Sequence, residues 1–185
     1  MIVLNDRMPY DYGPSACALG TFDGLHVGHQ KLIRQMTSLA RERNLVSIVC
    51  CFDRHPLEVL RGKPPMYLLT EQEKIEKLNM LGVDIMYTQT FTPKFAHQEP
   101  EEYVSELQKT LCAQLIVAGE NYTFGRYGRG NAALLKEIAG KNNLEVFIIP
   151  SVLESGEPVS STRIRDLITR GEMAQAEKLL ALQSE

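Results

Sequence analysis

Residues 16–30, ACALGTFDGLHVGHQ, decide how the rest of this chain is read. A short apolar run, Ala16 to Leu19, stops at Gly20. The turn-rich GTFDG then hands over to His26-Val27-Gly28-His29, the head of a helical pattern. A strand that runs through a tight turn into a helix start is where α/β proteins hold phosphates. The first N–H groups of a helix lack partners, and the helix dipole favours negative charge there. His26 and His29 stand three apart, so within one helical turn they project from the same side. Gly28 between them carries no side chain and lets a ligand oxygen come close to the backbone. Two imidazoles and a row of N–H donors suit a polyphosphate. The plainer reading of the same residues is a surface helix start that happens to carry two histidines.

Outward from this stretch, Leu32, Ile33, Met36, Leu39 and Ala40 fall on one stripe of residues 26–44, with Lys31, Arg34, Arg41 and Glu42 outside it. That pattern predicts an amphipathic helix. Residues 47–52 (SIVCCF) form a continuous apolar run of the kind buried on both faces of a parallel sheet. Further strands are expected at residues 83–88, 114–118 and 145–149. Helices are expected from the capping box at 70–73 to Gly82, from Pro100 to Leu111, from Asn131 to Asn143, from Ser160 to Gly171, and over 173–182. Residues 53–69 and 89–99 read as loops. Strands alternating with helices predict a Rossmann-like, doubly wound α/β fold with a parallel five-stranded sheet, in one domain spanning residues 1–185. Ligands in such sheets bind beyond the carboxyl ends of the strands, where the strand order reverses. Three unusual segments follow strand ends directly, at 20–29, at 119–131 and at the approach to 160–165, so the candidate site gathers at one edge.

The composition agrees with a globular protein: of 185 residues, 44% are hydrophobic and 23% charged. A net charge of -3 gives no general attraction to nucleic acid or membranes. No apolar run approaches the roughly 20 residues that span a bilayer. The opening MIVLNDRMPY has no charged segment followed by an apolar one, so it does not read as a signal peptide, and a cytoplasmic protein is expected. Cys17, Cys50, Cys51 and Cys112 all sit in apolar runs without C-x-x-C spacing, and are read as buried thiols.

Two further segments carry chemistry. Residues 119–131, GENYTFGRYGRGN, interleave Asn121, Tyr122 and Phe124 with four glycines and two arginines. The spacing is that of neither a P-loop nor a dinucleotide fingerprint. An exposed aromatic in such a loop suits stacking on a flat ring; a flexible surface turn is the alternative. Ser160-Ser161-Thr162-Arg163-Ile164-Arg165 brings hydroxyls and arginines to a helix start, an anion site or simply a good N-cap with solvated arginines.

GTFDGLHVGH resembles the first signature of the HxGH nucleotidylyltransferase superfamily, and its FDG is similar to the form found in bacterial FAD synthetases. VSSTRIR resembles that superfamily's ISSTxxR, and 119–125 resembles the synthetases' G-x-[DN]-[FY]-x-F-G loop. Phe52-Asp53-Arg54-His55-Pro56 resembles F-x-P-H-P, with Arg54 in place of the first proline. Leu68-Leu69-Thr70, Glu73-Lys74, residues 81–84 and Pro100-Glu101-Glu102-Tyr103 follow the same pattern, so the resemblance spans nearly the whole chain. His97 matches nothing and reads as surface.

The resemblance implies an FMN adenylyltransferase, in which ATP and FMN give FAD and pyrophosphate with Mg²⁺ held mostly by phosphate oxygens and water. His26 and His29 would hold the phosphates and stabilise developing charge, with Arg165 on the β- and γ-phosphates. Gly20, Thr21, Phe22, Asp23, Gly28, Ser160, Ser161 and Thr162 would bind nucleotide. His55, Asn121, Phe124 and Tyr103 would meet the flavin, and no side chain is assigned to metal. FMN's phosphate is ionised at neutral pH, so positioning and charge stabilisation suffice. Bacterial FAD synthetases usually continue into a riboflavin kinase barrel. The sequence stops at Glu185, and kinase activity is expected to be absent. The rivals are transfer to another phosphate or alcohol acceptor, and a flavin-binding module without activity.

Overall fold

All five residues of strand β2 (Ser15–Leu19) are buried, and the rest of the molecule is built outward from that strand. The structure, a computed structural model, describes residues 1–182; the last three residues of the expected domain lie outside the described residues. A side chain every second residue points to the same face of a strand. Ala16 and Ala18 therefore meet Ile33 and Met36 of helix α1 (Val27–Glu42) on one side. Cys17 and Leu19 meet Leu107 and Leu111 of helix α5 (Pro100–Leu111) on the other. Small residues at 16 and 18 let α1 lie close to the sheet, and the moderate hydrophobes at 17 and 19 fill the second core.

The sheet has six parallel strands, one more than the sequence suggests. Strand β1 (Ile2–Asn5) is the addition, and it pairs with β4 (Ile85–Gln89) at one edge. With β3 (Val46–Phe52), β5 (Ala113–Gly119) and β6 (Glu145–Ile149), the order is β1-β4-β3-β2-β5-β6. Only Leu4 of β1 is buried, so the short edge strand lacks the continuous apolar run that marks the others. The order reverses at β2, which pairs β3 on one side and β5 on the other. A crevice opens beyond the ends of β2 and β5, between the loops that follow them.

Both segments read as loops contain a short helix, α2 (Pro56–Arg61) and α4 (Pro93–Ala96). Each has proline at its start and a side-chain cap, from His55 and Thr92 respectively, a local signal hidden by the length of the surrounding irregular chain. Helix α3 (Glu71–Met80) begins at the Thr70–Glu73 capping box, and α6 (Ala132–Lys141) at Asn131. A small hairpin, β7 (Leu153–Glu154) and β8 (Glu157–Pro158), precedes α7 (Ser161–Thr169) and α8 (Met173–Leu180). These last two helices share a third apolar cluster around Ile164, Leu167 and Leu179. Gln30 of α1 donates to the Ala181 carbonyl, and Lys77 of α3 to that of Leu180, which fastens this unit beside the histidine helix.

Cys17, Cys50 and Cys51 are buried as expected, but Cys112 is exposed. It ends α5 in the left-handed conformation, φ 48°, and that turn swings its side chain out of the apolar run in which it sits. Among the described residues no helix is long and apolar enough to cross a membrane.

Candidate active site

The turn between β2 and α1 is built under strain. Phe22 and Leu25 have φ of 46° and 43°, left-handed values that side-chain-bearing residues rarely adopt, yet both are fully buried. Gly24 supplies the third left-handed residue, φ 82°, and a Cβ there would come within 2.9 Å of Leu68 Cδ1. The loop is thus folded back onto its own side chains.

His26 is the N-cap of α1 rather than part of its first turn, and its Nδ1 accepts the His29 N–H at 3.4 Å. The proton of the neutral ring therefore sits on Nε2. The two imidazoles stack with centroids 3.7 Å apart and planes 18° off parallel, and Phe22 meets His29 edge-on. Burial lowers the His26 pKa to about 4. Burial, and then the charges of His26 and Lys74, hold His29 well below its usual value. Both rings are neutral in the free protein. The His29 Nδ1 is sealed from solvent and has no partner among the described residues, so one buried polar atom of the pair is still unsatisfied there. Gly28 makes this stack possible, since a Cβ would sit 3.2 Å from the His26 ring. Its lack of a side chain serves the imidazole before any ligand.

Beside the imidazoles lies a cleft of about 250 Å³, lined by Gly20, Thr21, Phe22, His26, Gly28, His29, Asn121, Ser160 and Ser161. A second and larger cleft, about 480 Å³, is walled by Phe52, Phe91, Phe95, Tyr103, Tyr122 and Phe124. His55 and Asn121 also line it. A third, about 120 Å³, lies over the ends of β3 and β4 between Asp23, His55 and Lys74. Thr21 belongs to all three.

Helix α7 joins the site through Asp23. Ser160 caps the helix by accepting the Arg163 N–H at 3.2 Å. Ser161 Oγ donates to the Asp23 carbonyl at 2.7 Å. Arg165 pairs with the Asp23 carboxylate and donates from Nε to the Met66 carbonyl at 2.8 Å. The Asp23 carboxylate also accepts the Leu68 N–H at 3.3 Å. In the free protein the arginine read as a phosphate clamp is therefore held by an internal partner. Thr162 is exposed and lines none of the three clefts.

Phe124 is not the exposed aromatic that its glycine-rich setting suggests. It is 7% exposed and packed against Tyr103 and Tyr122, because Gly130 lets the loop close on itself through paired backbone hydrogen bonds between residues 124 and 130. Arg126 and Arg129 of the same loop reach back to Glu99, both at 3.3 Å, and support the loop. His55 caps α2 by accepting the Leu57 N–H, between the second and third clefts. The sequence reading missed Phe91 and Phe95, which extend the aromatic wall through Phe52 and Tyr103 at centroid distances of 5.0 to 5.7 Å. Their four-residue spacing across a proline-started helix was the available signal. His97, read as surface, is exposed, and it also lines the same cleft beside Tyr127.

The family model for FAD synthetase matches residues 9–163. The chain belongs to the FAD synthetase family. Among relatives of this family, it is 39% identical over 165 residues to the bifunctional riboflavin kinase/FMN adenylyltransferase of Listeria monocytogenes, covering 88% of this chain and 52% of that one. It is 30% identical over 173 residues to a protein of that organism named FAD synthetase, covering 92% of this chain and 70% of that one. The chain thus spans about half the length of most of the curated relatives it matches. A crystal structure of a Streptococcus pneumoniae protein named macrolide-efflux protein superposes with a TM-score of 0.86 at 33% identity, over 97% of this chain and 60% of that one. The pantoate-beta-alanine ligase of Francisella tularensis, at a TM-score of 0.59 and 18% identity, covering 100% of this chain and 80% of that one, shares the fold.

Proposed function

We propose that this FAD synthetase family member transfers AMP from ATP to FMN, giving FAD and pyrophosphate, and that residues 1–185 act as one adenylyltransferase module in the cytoplasm. One observation carries the reading. A cleft beside two stacked neutral histidines, with Asn121, Ser160 and Ser161 on its walls, and an aromatic cleft sized for a flat ring system share the same threonine. Two ligands of unlike chemistry can lie end to end with their phosphates at Thr21. The adenine end of ATP fits the histidine cleft, near Asn121 and Ser160, and the isoalloxazine of FMN fits between Tyr103, Phe124 and Phe52.

An oxygen of the FMN phosphate attacks the α-phosphorus of ATP. The new P–O bond forms as the α–β bridging bond breaks, and the electron pair leaves with pyrophosphate. The attacking oxygen is already anionic, so no side chain need remove a proton. His26 offers an Nε2–H, and His29 a ring whose buried nitrogen is unsatisfied. Both sit at a helix N-terminus whose dipole favours the charge that builds on the phosphates. A triphosphate draws Arg165 from Asp23, exchanging one anionic partner for another.

Magnesium belongs to the same reading. Among the described residues no three His, Cys, Asp or Glu side chains are grouped to hold an ion, and the Asp23 carboxylate is already engaged. The donors present fit a cation carried by triphosphate oxygens and water. When bound, it neutralises charge on those phosphates. A net charge of -3 supports small-molecule partners rather than nucleic acid or a membrane surface. The test is incubation of the protein with FMN and ATP-Mg²⁺ followed by chromatography. FAD and pyrophosphate should appear in equal amounts. A different adenylylated product would shift the reading to another acceptor, and no product at all would leave a binding module.

A further inference from the structure

The third cleft, over the ends of β3 and β4, holds charges that the reading above leaves unused. Three carboxylates line it. Asp23 is paired with Arg165. Asp53 accepts the Phe91 N–H at 2.9 Å and has Arg54 at 3.7 Å. Glu71 is exposed at the start of α3. Lys74, on the same wall, is half-buried, and among the described residues no carboxylate stands within ion-pair distance of its ammonium group. A cation on a cleft wall with no carboxylate at hand is available to an anionic ligand. This one also sits at the end of the first turn of a helix, where the dipole opposes positive charge. A local rule broken at a residue on the wall of a cleft points to a use elsewhere. Its charge reaches both His29 and His55, which places it within electrostatic range of the imidazole stack.

We propose that the Lys74 ammonium, on the wall of the cleft that opens from Thr21, binds a phosphate group of substrate or product by charge during the reaction and is a further catalytic residue of this site. The proposal rests on the adenylyl-transfer reading and extends it. The cleft, of about 120 Å³, carries Arg54, His55 and Lys74 on its walls, groups that suit a phosphate. Two sources share that chemistry, the pyrophosphate leaving ATP and the phosphate of FMN. In either case Lys74 neutralises charge in a cleft at which the other two cations, Arg165 and Arg54, stand paired with Asp23 and Asp53 in the free protein.

The test compares wild type with Lys74→Met, which keeps the apolar stem, and Lys74→Arg, which keeps the charge. Losing one charge-assisted contact predicts that kcat/KM falls by about tenfold or more in Lys74→Met, with substantial recovery in Lys74→Arg. If pyrophosphate is the occupant, its inhibition constant rises by about the same factor while KM for FMN holds. If the FMN phosphate is the occupant, KM for FMN rises while the affinity for riboflavin, which lacks the phosphate, holds. Pyrophosphate and FMN binding by calorimetry need no turnover, so they test Lys74 even if the wild type makes no FAD. That last result would overturn only the adenylyl-transfer reading. A Lys74→Met protein that melts like wild type and retains all these constants would overturn the proposal. So would one that melts earlier and loses every ligand, riboflavin included, in equal measure.

Discussion

Asp23→Asn is the most searching change, because one carboxylate holds the turn after β2, the chain at 66–68 and helix α7 together. Asparagine keeps the shape and the backbone carbonyl that Ser161 uses, but removes the charge facing Arg165. Breaking a fully buried pair by removing one partner costs about 3–5 kcal/mol. Arg165 is 16% exposed and keeps its bond to the Met66 carbonyl, so the expected cost here is about 2–3 kcal/mol. For a chain of this size each kcal/mol moves Tm by about 2–4 °C, which gives a fall of about 4–12 °C. Saturating ATP should then recover more of Tm in the variant than it adds to wild type, because the triphosphate no longer competes with a carboxylate for the guanidinium. Scanning calorimetry with and without ATP measures both effects. A free variant that melts as wild type does, or one that ATP stabilises less, would refute the role given to this carboxylate.

Replacing His29 with Ala should lower kcat by a factor on the order of 10² to 10³ in the FAD-forming assay, with KM for FMN changing little; a near-normal kcat would remove His29 from the chemistry. Phe124→Ala should cost about 3–5 kcal/mol and weaken FMN binding, since Phe124 is both core and cleft wall, whereas Phe124→Leu should stay folded and lose chiefly FMN affinity. A melting curve beside a flavin titration would expose an error if the leucine variant bound FMN normally. Acid should also weaken the fold through the imidazole pair. The folded His26 titrates at about 4 and His29 well below its usual value, against about 6.5 when unfolded. Their contribution is complete above pH 6.5 and is lost as pH falls toward 4, because only the unfolded chain takes up protons in that window. The slope is up to about 1.4 kcal/mol per pH unit for each ring. Urea unfolding at pH 7, 6 and 5 should show a shallower loss in a His26→Asn, His29→Asn double variant; equal slopes would mean that the rings are not held neutral.

How much of this was legible beforehand depended on whether local chemistry and tertiary position coincided. The capping box at Thr70, the caps at Asn131 and Ser160 and the buried runs of β3 and β5 announce themselves because near neighbours in sequence create them. The edge strand β1 does not, since its only buried residue is Leu4 and its place is set by pairing with a strand 83 residues away. The burial of Phe124 depends on the loop closing at Gly130, and the engagement of Arg165 on Asp23, 142 residues earlier. Neither has a local signature. The motifs brought most of the candidate residues to one edge, while the partners they hold in the free protein arose only from the fold.

The left-handed backbone at Phe22 and Leu25 constrains how this loop can drift over evolutionary time. Each such residue stores about 1–3 kcal/mol of strain, and burying each side chain returns a comparable amount. Glycine at either position would relax the backbone and lose the packing, while a β-branched residue would keep the packing and deepen the strain. No single substitution improves both terms, so the turn sits at a local optimum that isolated changes leave only downhill. Lineages that alter it must change the loop and the wall around Leu68 together, while the outer rim of the aromatic cleft, where Leu60 and Tyr127 are exposed, is open to change one residue at a time.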